Sequence, residues 1–147
     1  RARERHQESL AIRRVIGDRG GEATSLNNLG VVAWNLGEYE FTRERHQESL
    51  AIKREIGDRG GEANSLGNLG LVARNLGEYK RARERHQESL AIEREIGNRG
   101  GEAASLNNLG NVEYEQANYS AAIENCSDAA DVFRDIGAVR RALQALS

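Results

Sequence analysis

The chain repeats itself every 40 residues, and no other feature limits its fold so tightly. Arg-Glu-Arg-His-Gln-Glu-Ser-Leu-Ala-Ile begins at Arg3, Arg43 and Arg83, and Arg-Gly-Gly-Glu-Ala begins at Arg19, Arg59 and Arg99. Asn-Leu-Gly ends at Gly30, Gly70 and Gly110. Residues 1–40 and 41–80 agree at 31 positions, and 41–80 and 81–120 agree at 26. A period of this size describes one supersecondary unit that cannot bury its apolar side alone and stacks on copies of itself.

Each unit reads as two helices. The first spans roughly 59–75 in the middle copy, with Leu66, Leu69 and Val72 on one side and Asp58 as N-cap. Gly60 and Gly61 weaken its first turn, and Gly77 stops it. The second spans roughly 79–96, with Ala82, His86, Ser89, Leu90 and Ile96 expected inward, and Gly97 ends it. With 0 prolines nothing else interrupts the helices. The short loops make successive helices antiparallel neighbours. All 147 residues therefore read as one all-α array: a lone helix 1–17, units 18–57, 58–97 and 98–137, and a truncated helix 138–147 in phase with a first helix. The chain contains 0 methionines and reads as a fragment of a longer one.

Several function classes fall away. Lys+Arg is 21 and Asp+Glu 23, for a net charge of -2, which lacks the basic stripe of a nucleic-acid binder. No run of about 18 apolar residues could cross a membrane, and no apolar segment opens the chain as a signal peptide. The expected location is intracellular, in the cytoplasm. The lone Cys126 cannot form an internal disulfide and is expected as a small buried hydrophobe. His6, His46 and His86 recur once per unit, about one helix-packing distance of 10 Å apart, which is poor geometry for a shared metal. They are expected to fill the space between paired helices. Gly20-Gly21, Gly60-Gly61 and Gly100-Gly101 follow helices and lack the lysine of a phosphate loop. The Arg/Glu-rich segments read as a solvated helix face. No catalytic residue, metal or cofactor is expected, and the chain is not read as an enzyme.

Leu66-x-x-Leu69-Gly70 followed by Gly77-x-Tyr79-x-x-Ala82 resembles the tetratricopeptide repeat. The same frame holds Leu26, Leu29, Gly30, Gly37 and Tyr39, then Leu106, Leu109, Gly110, Tyr119 and Ala122. The 40-residue period is similar to the long-repeat type found in Pins/LGN scaffolds and bacterial multi-repeat signalling proteins. The chain departs from the pattern at Thr42, where a small Ala is usual, and His46, His86 and Cys126 hold the place of an aromatic. In the third unit Ala117 replaces the turn glycine and Glu113 takes an apolar site, so that hairpin is expected to be less regular. The resemblance implies a right-handed superhelical solenoid whose first helices line a concave groove for a peptide or protein segment, without catalysis.

The copies supply an independent clue to such a groove. Within the first helices, residues 1–40 and 41–80 differ only at 24/64, 27/67, 31/71 and 34/74. Spacings of 3, 4 and 3 mark one helical stripe. A stripe that changes between near-identical copies is not their shared packing face. One end of it carries Trp34, Arg74 and Tyr114, residue types enriched at binding hot spots. Asn28, Asn68 and Asn108 recur within it although Asn disfavours helix interiors, and an amide suits the backbone of an extended peptide. A structural role for these amides is the competing reading. The expected groove comprises Asn27, Asn28, Val31, Trp34, Asn35, Asn64, Asn68, Leu71, Arg74, Asn75, Asn107, Asn108, Asn111 and Tyr114.

Two function classes remain. The first is a module that binds a protein or peptide ligand in this groove. The alternative is a regulatory or sensor segment of a larger enzyme or transcription regulator, in contact with a neighbouring domain. End-to-end self-association is also expected. Leu10, Ile12 and Ile16 at one end, and Val139, Leu143 and Leu146 at the other, sit at packing phases without an evident partner.

Overall fold

The computed structural model describes residues 1–146. It comprises α1 (Ala2–Ile16), α2 (Arg19–Asn35), α3 (Tyr39–Glu55), α4 (Arg59–Asn75), α5 (Tyr79–Glu95), α6 (Arg99–Glu115) and α7 (Tyr119–Leu146). No strand occurs among the described residues. Successive helices pair antiparallel and stack into a right-handed superhelical solenoid.

Local chemistry sets the boundaries. Asp18, Asp58 and Asn98 accept the backbone N–H of Gly21, Gly61 and Gly101 at 2.9, 2.8 and 3.1 Å, which satisfies a donor that the first turn leaves open. Gly17, Gly57 and Gly97 follow α1, α3 and α5 with φ of 74°, 72° and 72°. After α6 the same left-handed step falls on Ala117, at φ 61°, which costs about 1–2 kcal/mol without a glycine. The step is nonetheless made, and α6 has the same 17 residues as α2 and α4. The expected irregularity of the third hairpin is absent.

Each of α2, α4 and α6 is clamped between the helix before it and the helix after it. Leu10 of α1 and Ile52 of α3 close on Ala23, Leu26 and Leu29 of α2. Leu50 and Ile92 do the same to Ala63, Leu66 and Leu69, and Leu90 and Val132 to Ala103, Leu106 and Leu109. The core is thus three copies of one sandwich, which is why the apolar phases recur unchanged. Ile92 at 5% exposure holds the inward position expected of Ile96, which lies past the end of α5 and is 42% exposed. Leu10 is buried as well, because α2 covers it without help from any preceding helix.

The histidines pack as expected. His46 is 3% and His86 0% exposed. A Cβ at Gly30 would lie 2.8 Å from His46 Cε1, and one at Gly70 would lie 2.5 Å from His86 Cε1. The glycine of each Leu-Gly pair therefore makes room for an imidazole. In the third unit Gly110 faces the Sγ of Cys126. Cys126 is exposed rather than buried, because among the described residues no helix packs on the outer side of α7 as α4 and α6 pack on α3 and α5.

The arginines do more than solvate the surface. Arg3 and Arg43 reach Glu38 and Glu78 in the next unit at 2.7 and 2.8 Å. Arg14, Arg54 and Arg94 bond Glu22, Glu62 and Glu102 at 2.9, 2.9 and 3.1 Å. These buried glutamates also accept from Arg19, Arg59 and Arg99. In the third unit Asn118 stands where Glu38 and Glu78 stand, and Arg83 turns to Glu113 at 2.5 Å instead. That pairing explains a carboxylate at an otherwise apolar phase.

The expected separate helix at 138–147 does not form, since α7 continues through Gly137 to Leu146. Ala138, Arg140 and Arg141 replace the cap and the glycine pair that start a helix at residues 98–101. Nothing there opens a new helix, so the old one runs on. Ser147, the last residue of the expected segment, lies outside the described residues.

Candidate functional site

The varying stripe lies on the side of α2, α4 and α6 that the sandwiches leave uncovered. Thr24, Asn64 and Ala104 are exposed, and Asn28, Asn68 and Asn108 are half-buried. Neighbouring stripes touch. Asn68 Nδ2 of α4 donates to Asn27 Oδ1 of α2 at 3.1 Å and to Asn64 Oδ1 at 3.2 Å. Arg74 Nε of α4 donates to Glu115 Oε1 of α6 at 2.6 Å. Asn28 and Asn108 make no side-chain hydrogen bond among the described residues.

Two adjoining cavities open on this face, divided by Trp34 and Leu71. One, of about 140 Å³, is lined by Val31, Trp34, His46, Asn68 and Leu71. The other, of about 310 Å³, is lined by Trp34, Leu71, Arg74, Asn75, Tyr79 and Glu115. Trp34 is held edge-on against Tyr39, with ring centroids 5.1 Å apart. A third cavity, of about 320 Å³, joins Asn27 and Asn64 to Ser49, Lys53 and the Gly60-Gly61 turn.

Eight of the expected residues thus line cavities here: Val31, Trp34, Asn68, Leu71, Arg74, Asn75, Asn27 and Asn64. Tyr114 is 65% exposed and meets Tyr119 at 5.6 Å between centroids, away from the Trp34–Leu71 cavities. Asn35 and Asn107 are exposed and Asn111 is half-buried, and none of the three lines these cavities.

His46, Tyr79 and Glu115 were not legible as members of the site. His46 and Tyr79 belong to the second helices, whose sequence signal is packing. Glu115 replaces Asn35 and Asn75 at its phase, a signal that acquires meaning only beside Arg74.

Burial lowers the His46 pKa to about 4, so the ring is neutral at pH 7. Burial, with a smaller contribution from the charge of Arg74, lowers His86 to about 4. Nδ1 of His46 and both ring nitrogens of His86 are buried without a hydrogen-bond partner. Glu113 is held below its ordinary range, first by the Arg83 hydrogen bond and against burial. Among the described residues no group of three or more His, Cys, Asp or Glu could hold a metal ion. Among the described residues no helix is long and apolar enough to cross a membrane.

Three clamped helices sharing one exposed stripe define a helical repeat of the protein-interaction class. The tetratricopeptide repeat profile matches residues 1–55, 21–95 and 61–135, and the chain belongs to that family. Its fold is similar to that of BtubC from P. vanneervenii, with a TM-score of 0.84 at 20% identity over 92% of this chain and 56% of that one. The apo form of RapI gives 0.85 at 23% identity, over 92% of this chain and 49% of RapI. MamA gives 0.65 at 16%, over 92% and 80%. The chain thus spans about half the length of the BtubC and RapI chains (56% and 49%). No curated protein sequence matches it.

Proposed function

We propose that the chain is an interaction module that holds a peptide or protein segment along the concave side formed by α2, α4 and α6. One observation carries this reading. Between residues 1–40 and 41–80, the first helices differ only at 24/64, 27/67, 31/71 and 34/74. All four pairs lie outside the sandwiches that hold the fold together. A face free of packing duty, with an aromatic and an arginine beside a bonded amide cluster, is suited to recognition. The mechanism is preorganisation: the groove stays folded and the ligand alone loses freedom.

The chain contains 1 tryptophan, Trp34, so ligand arrival on this face is readable as a change in its fluorescence. A library of short peptides, screened by that signal and checked by calorimetry, tests the reading. Trp34→Ala should weaken calorimetric binding by about 2 kcal/mol or more, the hot-spot scale. Undiminished binding by Trp34→Ala and by a variant with Asn28, Asn68 and Asn108 all changed to Ala would overturn it. The regulatory-segment alternative predicts that the same face is occupied by a domain of the parent chain, and that adding this domain blocks the peptides.

A further inference from the structure

The two junctions between α2, α4 and α6 are not equivalent, and the difference defines a ligand class. At the junction of α2 and α4 the small cavity has apolar walls, Val31, Trp34 and Leu71, with Asn68 at its edge and the buried imidazole of His46 behind. One period later the same phases hold Leu71, Arg74, Asn111, Asn108 and His86. The histidine and the asparagine are kept, while Trp34 gives way to Arg74 and Leu71 to Asn111. A wall of three apolar side chains therefore occurs at the first junction, while the next keeps only Leu71. The volume, about 140 Å³, is on the scale of one branched aliphatic or thioether side chain.

Beside this cavity the amides leave a defined set of free groups. Asn68 commits its Nδ2 to Asn27 and Asn64. Its Oδ1 remains an acceptor for a peptide N–H, and the Asn27 and Asn64 amide groups remain donors for peptide carbonyls. An extended backbone laid across these three amides drops one side chain into the Val31–Trp34–Leu71 cavity.

Charge supplies the other constraint. Charged residues make up 30% of the chain. Yet at the stripe phases themselves (24, 27, 28, 31, 34, 35 and their equivalents) the only charges are Arg74 and Glu115, which neutralise each other at 2.6 Å, while Glu113 on the packed side of α6 is paired with Arg83 and Lys53 beside Asn27 and Asn64 is paired with Asp58. Such a face offers nothing to attract a charged segment and would leave a buried charge unpaired.

Building on the interaction-module reading, we infer that the ligand is an extended, uncharged segment. One aliphatic or methionine side chain anchors it between Val31, Trp34 and Leu71, and Asn27, Asn64 and Asn68 hold its backbone.

The test uses end-capped short peptides that carry one central residue in an otherwise Ser/Asn/Gly background, titrated against the full chain. With Leu, Ile or Met at the centre, Trp34 emission should shift to the blue. Replacing that residue by Asp or Lys should weaken binding about tenfold or more. Affinity should change less than about twofold between low and high sodium chloride. Val31→Glu places a charge on an already exposed position (44% exposed), so it should fold normally and lose the anchor peptides. Selection of acidic or basic peptides, a strong salt dependence, or unchanged affinity in Val31→Glu would overturn the inference. If charged peptides bind and binding is lost in Trp34→Ala, the interaction module stands and only the ligand class falls. If no peptide binds, both fall.

Discussion

Acid should weaken this fold above the pH at which its carboxylates titrate, and the histidines set the size of the effect. His46 and His86 are packed against Gly30 and Gly70, where burial lowers each from an ordinary 6.5 to about 4. The folded chain therefore prefers neutral rings, while the unfolded chain takes up protons as the pH falls through 6.5. Stability is fully present above 6.5, declines as the pH falls toward 4, and is unaffected by these groups below that. Between about pH 7.5 and about pH 4.5, each ring should cost about 2.5 kcal/mol, or about 5 for the pair.

Two other sets of groups bear on this window. Burial pushes Glu22 and Glu62 up, but the hydrogen bonds and charges of Arg14, Arg19, Arg54 and Arg59 outweigh it and hold both low. Their contribution is lost as the pH falls from the ordinary value of 4.5, at the foot of this window, down through their lowered folded values. Burial raises Glu93 against an Asn98 hydrogen bond. Its stabilising protonated form is lost as the pH rises, so it acts in the opposite sense, and the Glu93→Gln background removes it. Urea unfolding followed by circular dichroism across this window measures the loss, and a proton titration of the imidazoles locates the groups. His86→Cys copies the arrangement of the third unit, where Cys126 faces Gly110, and should remove about half of the pH dependence. Equal stability at both ends of the window, or imidazoles titrating near 6.5, would refute the argument.

Further perturbations follow from packing. Gly70→Ala gains about 1 kcal/mol of helix propensity but pushes a methyl to 2.5 Å from His86 Cε1. A net loss of about 1–3 kcal/mol is expected, and a melt no lower than wild type would count against the close fit. The outer stripe of α7 exposes Ile123 (71%) and Phe133 (53%), and α1 exposes Val15 (87%) and Ile16 (67%). We expect concentration-dependent association of the 147-residue chain. Light scattering that gives a constant monomer mass, or mass unchanged by Phe133→Glu where larger species do form, would defeat that expectation.

What the sequence revealed and what it hid follow one physical division. Capped starts and apolar phases are local and repeat identically, so Asp58, Leu66 and Gly77 could be placed from three aligned copies. Contacts between units are not local. Arg3 meets Glu38 and Arg43 meets Glu78 across 35 residues, and only the exchange of Glu78 for Asn118 beside Glu113 hints at the partnership. A similar exchange runs through Arg13–Asp18 and Lys53–Asp58, which become Glu93 and Asn98. The stripe coincides with the face that the sandwiches leave uncovered, but His46 in the wall of its smaller cavity belongs to the other helix of the pair and carried only a packing signal. Cys126 and the run through Gly137 depart from the expectation of their phases for a shared reason. Phase alone implies that a covering helix follows, whereas burial and helix starts depend on the groups present there.

That last point can be tested by restoring the missing groups. Gly137 stands at the phase of Gly17, Gly57 and Gly97, each of which ends a helix at positive φ. It remains helical because Ala138 cannot cap and Arg140-Arg141 supplies no glycine pair. Leu143 and Leu146 nevertheless keep the phases of Ala103 and Leu106, which pack on Leu90. The position equivalent to Leu90 on α7 is Ala130. Pairing Leu143 with Ala130 exchanges large for small and small for large, close to a volume-conserving swap. The variant Ala138→Asp, Arg140→Gly, Arg141→Gly should therefore break α7 at Gly137 and fold residues 139–146 back over Ile123, Cys126, Ala130 and Phe133. Cys126 is the 1 cysteine of the chain and is exposed, so its reaction with a thiol reagent reports the outcome directly. The wild-type thiol should react freely, and that of the variant should be slowed about tenfold or more by local protection. Equal rates in dilute, monomeric samples would show that the cap and the glycine pair are not what decides where the helix ends.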